Sequence, residues 1–124
     1  MSSLFLGKKA LRSQYYEATE AQVNATTGQA DAFLLCVLPQ QSRIVLFDNG
    51  LNTPIKVWLA HPEADSQADP TTRLGWIEIP SQKPINFDIS GTVGLSLDAH
   101  TKIYISKVGS NSTNGEKVRL VTWG

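Results

Sequence analysis

The chain is short of almost every residue class that announces a chemistry. It has 124 residues with one cysteine and two histidines. Lys and Arg total 11 against 11 Asp and Glu, so there is no charge of one sign. Charged residues make up 18% of the chain, below the usual quarter. A single cysteine, Cys36, excludes an intrachain disulfide, and its place in the apolar run Ala32-Phe33-Leu34-Leu35-Cys36-Val37-Leu38 predicts a buried, unreactive thiol suited to a reducing compartment. That run is the longest, far short of the roughly 18 apolar residues a membrane span requires, so no membrane partner is expected. The amino terminus places its apolar residues before Lys8 and Lys9, the reverse of a secretory signal. Without export, Asn24-Ala25-Thr26 and Asn111-Ser112-Thr113 read as polar loops, not glycosylation sites.

Nucleic-acid binding draws its affinity from clustered cations that displace phosphate counterions. Here Lys102, Lys107, Lys117 and Arg119 are spread over two polar stretches, which predicts solvent-facing strand residues and no nucleic-acid partner.

What the chain does have is alternation. Ile55, Val57 and Leu59 alternate with Lys56, Trp58 and Ala60; Ile85, Phe87 and Ile89 with Asn86, Asp88 and Ser90. Val93, Leu95 and Leu97, then Ile103 and Ile105, then Val118, Leu120 and Thr122 continue the pattern. Successive strand side chains point to opposite faces, so each set gives one row for a core and one for water or a partner. Phe33 to Leu38 and Ile44 to Phe47 are apolar on both faces and are expected to be covered on both sides. Thr72 to Ile79, ending at Pro80, adds a further strand. Leu11 to Asn24 fits a helical stripe or a strand, and strand is preferred. About eight strands with one-sided patterning must pair into two sheets. The expectation is an all-β, antiparallel β-sandwich of jelly-roll type over residues 11 to 124, with residues 1 to 10 as an extended N-terminal arm.

Catalytic and metal patterns were weighed residue by residue. Zinc would need partners for His61, yet His100 is a lone turn residue and Cys36 is in an apolar run. Glu63, Asp65 and Asp69 lack the alternating order of a calcium loop. Ser96 has no nucleophile-elbow context, and Glu78 and Asp88 read as sheet-face carboxylates. The chain is therefore expected not to be an enzyme and to carry no cofactor. Trp58, Tyr104 and Trp123 fall in outward rows, where large rings are costly to leave wet and suit a partner protein or a sugar ring. Together with Leu4, Phe5 and Leu6 of the arm they are the candidate partner-binding residues. Trp58, Trp76 or Trp123 as a stacking platform would make a carbohydrate-binding module, the alternative reading.

The apolar run from Ala32 closing at Pro39, the strand Ile44-Val45-Leu46-Phe47 leading to Asp48-Asn49-Gly50, then Thr53 to Ala60, Pro84 to Ser90 and a closing Val118 to Trp123, resemble small β-sandwich structural proteins of tailed bacteriophages. The likeness is one of arrangement over residues 32 to 123. It implies a virion component made in the host cytoplasm: a capsid decoration or cement protein on the major capsid protein, or a tail or neck adaptor. Self-association, as a homotrimer, is the expected assembly.

Overall fold

The computed structural model describes residues 13–62, 73–86 and 95–124. Among the described residues nine strands follow in order: β1 Ser13–Thr19, β2 Phe33–Val37, β3 Ser42–Asn49, β4 Ile55–Ala60, β5 Arg73–Ile79, β6 Lys83–Asn86, β7 Leu95–Leu97, β8 Lys102–Lys107 and β9 Lys117–Trp123. Among the described residues, helix is limited to one α-helical turn, α1 (Glu20–Asn24), and a 3₁₀ turn, Gln29–Asp31. One sheet has the order β1-β9-β3-β6, with β7 also paired to β3; the other has the order β2-β8-β4-β5. Every described pairing is antiparallel.

The strands pair from the two ends of the described chain inward: β1 with β9, β2 with β8, β3 with β6 and β7, β4 with β5. Between the sheets lies one core, which includes Leu38, Ile44, Phe47, Ile55, Val57, Ile79, Ile103, Ile105, Val118 and Leu120. Alternation accounts for most of it. Val118, Leu120 and Thr122 are fully buried while Lys117, Arg119 and Val121 keep partial exposure.

The doubly apolar stretches have a different cause from the one expected. In β2, Leu34 pairs with Tyr104 and Cys36 with Ile103, so Leu35 is an extra residue in a bulge. In β3, Ile44 pairs with Thr122 and Leu46 with Val121, leaving Val45 extra. A bulge inserts one residue against its partner strand and resets which side chains face inward. Leu35 and Cys36 are thus both buried, and β2 is an edge strand whose Leu34 and Val37 are exposed. Full coverage of both faces does not hold for β2 within the single chain.

Leu11 to Asn24 also divides: Ser13–Thr19 is strand, as preferred, and Glu20–Asn24 is helix. The switch occurs at Thr19, whose hydroxyl accepts from the Gln22 N–H while the Gln22 side chain accepts from the Thr19 N–H at 2.9 Å. The spacing Thr19-Glu20-Ala21-Gln22 carries that capping box, although no clear cap was recognised from the sequence.

The end of the sandwich is fixed by polar side chains on corners. Asn49 is fully buried; its amide nitrogen reaches the carbonyls of Thr53, Ile79 and Pro80 at 3.0, 3.3 and 3.1 Å, and its oxygen accepts from the Leu51 N–H. Gly50 follows because a Cβ there would stand 2.7 Å from the Lys117 carbonyl oxygen. The loop after β8 is held by Ser112, whose hydroxyl donates to Asn52 at 2.8 Å and whose backbone exchanges two bonds with the Asn24 amide.

Candidate functional site

The outer face of the four-stranded sheet carries one apolar row across all four strands. Leu34 pairs with Tyr104, Tyr104 with Trp58, and Trp58 with Trp76. Its centre is covered and its ends are open: Trp58 and Tyr104 are 8% and 7% exposed, Leu34 and Trp76 41% and 50%. Val37 on β2 and Ile77 on β5 are exposed as well. Four of the five large exposed hydrophobics among the described residues thus lie on the two edge strands of this one sheet; the fifth, Tyr15, is on β1.

The rings at the centre were expected to face outward, and they do, but the β1–β2 connection covers them. Ala32 packs with Trp58, Ala60 and Tyr104 in a small second cluster. Three ties hold that connection in place. Buried Thr26 donates its hydroxyl to the Val23 carbonyl at 2.7 Å and accepts the Lys107 N–H at 2.9 Å, pinning the connection to the end of β8. The Asp31 carboxylate accepts from the Thr27 and Gly28 N–H groups and the Thr27 hydroxyl, at 2.8 to 3.0 Å. These bonds favour the charged form and hold the carboxyl below its ordinary range. Lys107 Nζ donates to the Asn24 carbonyl at 3.1 Å.

Between this connection and the turn after β8 the surface opens into a cavity of about 280 Å³. Residues 27–29 form one wall and 106–109 the other, with Lys56 and Trp58 between them. The Trp58 indole N–H donates to the buried Ser106 hydroxyl at 2.9 Å. Lys56 Nζ lies 4.3 Å from the centre of the Trp76 ring and 5.5 Å from that of Trp58, and the two rings are 5.9 Å apart, tilted at 48°. A cation over an indole face is attracted by the ring quadrupole, so the exposed Trp76 ring is held against the sheet by Lys56.

Of the other residues singled out from sequence, Trp123 is partly exposed on β9, away from this face, with its indole nitrogen buried and without a hydrogen-bond partner among the described residues. Leu4, Phe5 and Leu6 lie outside the described residues, as do Glu63, Asp65, Asp69 and Asp88. Glu78 is exposed on β5 opposite Lys56. Among the described residues no three His, Cys, Asp or Glu side chains come together as metal ligands. Cys36 is buried, and desolvation pushes its thiol up to about 12, far from reactivity at neutral pH. No described helix is long and apolar enough to cross a membrane.

The cavity walls were not singled out from sequence. Asp31 after Thr27-Gly28 carried a signal, because a short acidic side chain following a glycine turn often ties back to backbone N–H groups. The approach of that loop to Ser106 is a long-range consequence of the sheet order and left no local mark. Comparison with known proteins gives no family model, no curated protein and no solved structure that matches the chain.

Proposed function

We propose that the chain is a non-enzymatic structural protein of a phage virion, a decoration or cement protein that docks on the head shell through its four-stranded sheet. The observation that carries this reading is the concentration of exposed Leu34, Val37, Trp76 and Ile77 on both edges of one sheet. Exposed apolar patches of this kind mark interaction surfaces, and an edge strand offers backbone N–H and C=O groups for pairing. β2, Phe-Leu-Leu-Cys-Val, has no charge or proline to discourage it.

The strand order supports a jelly roll. Counting β6 and β7 as one interrupted strand along β3, the chain changes sheet at every step except β4 to β5, the path of a hairpin rolled up into two Greek keys. That architecture recurs in viral shells, where it presents flat sides and edges to neighbours. The two open edges, β2 and β5, are unlike surfaces on opposite sides of the sheet. Head-to-tail contacts between unlike surfaces close as a ring only where the rotation between copies allows it, and a ring of three is the homotrimer of this proposal. Binding at many symmetric sites lets a modest interface stabilise a whole shell by mass action.

Undecorated shells of the phage that encodes the chain, mixed with the purified protein, provide the test. The protein should pellet with the shells and raise the temperature at which they open. Shells that neither retain the protein nor gain heat resistance would reject the reading.

A further inference from the structure

We infer that β1 is a self-pairing edge: two copies of the chain join antiparallel along Ser13–Thr19 about a twofold axis at Tyr16, so that their five-stranded sheets become one. The state of the edges points to β1. An edge strand is a template for another strand, and folds discourage that with bulges, short strands, proline and charge. β2 is interrupted by the bulge at Leu35, and β5 shifts register against β4 between Leu59 and Ala60. β6 and β7 are four and three residues long, and β6 carries Lys83 and Pro84. β1 has neither bulge nor proline. All seven of its residues pair in continuous register with β9, and its other side has no strand against it among the described residues. Its one charge, Glu17, does not guard the edge, because Lys117 of β9 holds that carboxylate at 3.1 Å.

A second copy is the occupant because the strand is complementary to itself. Antiparallel pairing about Tyr16 engages all seven residues and sets Ser13 opposite Thr19, Gln14 opposite Ala18 and Tyr15 opposite Glu17, each twice by symmetry. Hydroxyl meets hydroxyl, phenol meets carboxylate, and no like charges face each other; such cross-strand pairs stabilise a sheet. Tyr15 already donates to Glu17 at 2.9 Å within its own strand, so donor and acceptor are matched. Moving the axis to Tyr15 or to Glu17 leaves one end of the strand unpaired, and at Glu17 it sets carboxylate against carboxylate. Sliding the register by one residue turns the exposed row of one copy against the inward row of the other. Tyr15, the exposed hydrophobic that the docking edges leave unused, is then covered between Val121 of its own β9 and the partner's Glu17.

This contact lies on the five-stranded sheet, so it is separable from shell docking through the other sheet. The full chain carrying Trp76→Ser, which removes an apolar anchor from the other sheet's edge, isolates it. Sedimentation equilibrium over a dilution series should follow a monomer–dimer equilibrium. Adding Tyr15→Glu, which opposes two pairs of carboxylates, should weaken the dimer about tenfold, whereas adding Tyr15→Lys should leave it at least as tight, with melting temperatures unchanged. Cross-linking reads the register. Tyr15→Cys and Glu17→Cys chains, mixed and mildly oxidised, should join by a disulfide, because directly opposed residues stand about 5 Å apart. Either variant alone holds its new thiols beyond the roughly 7 Å that a disulfide spans, and Cys36 is buried. A monomer at every dilution, the result expected if a strand of a different protein fills this edge, would overturn the inference. So would equal dimer strength in Tyr15→Glu and Tyr15→Lys, or cross-linking of either cysteine variant with itself as readily as in the mixture.

Discussion

At the scale of single residues, two positions hold the corner where β3 ends. Asn49 is fully buried and satisfies three carbonyls and one N–H, so Asn49→Ala should cost about 2–3 kcal/mol, read as a lower denaturation midpoint. Gly50→Ala drives a Cβ into the Lys117 carbonyl, a backbone atom that cannot swing aside; a loss of about 1–3 kcal/mol is expected. Cys36 gives a third readout. In the native protein its thiol should resist an aromatic disulfide reagent at pH 8, reacting only as the chain unfolds, because burial holds it protonated. Rapid native-state labelling would show that β2 opens readily.

At the scale of elements, the capping box and the Asp31 cage govern the β1–β2 connection that covers the outer face. Thr19→Ala should lower stability by about 1 kcal/mol in chemical denaturation. The Glu20 carboxyl, which accepts from the Gly115 N–H at 2.9 Å, and the Asp31 carboxyl are both held below their ordinary values by those hydrogen bonds. A depressed folded-state pKa contributes stability that is present above the unfolded pKa and lost as pH falls through the folded one. Melting temperature should therefore drop on acidification below about pH 4.5, and the double change Glu20→Gln with Asp31→Asn should flatten that acid limb.

Elements also show where a sequence stops being informative. The rows Ile55/Val57, Ile103/Ile105 and Val118/Leu120/Thr122 declare their inward face because nothing interrupts the pleat. The bulges at Leu35 and Val45 were illegible, since an extra residue shifts the period and makes a strand with one buried face resemble one buried on both. Trp58 and Tyr104 were correctly assigned to the outer face of their strands, but what covers them is Ala32, reached through a connection whose path depends on β8. The exposed ring is Trp76, at the far end of the same row.

At the scale of the whole molecule, the strands pair outermost with outermost, so most of the sheet joins residues distant in sequence. Closing such long loops before any contact rewards them makes folding slow, and refolding in milliseconds to seconds is expected by stopped-flow fluorescence. The same topology leaves β2 and β5 as the two ends of one sheet, and the account of function stands on those ends being occupied in the assembled particle.

Pelleting of surface variants with undecorated shells tests this most directly. Leu34→Ser and Trp76→Ser, each on an open edge of the four-stranded sheet, should fold normally yet lose most of their binding, while Tyr15→Ser, an equally exposed residue of the other sheet, should pellet like the unaltered protein. Retention of both edge variants, or loss of binding by Tyr15→Ser alone, would contradict the assignment of the docking surface.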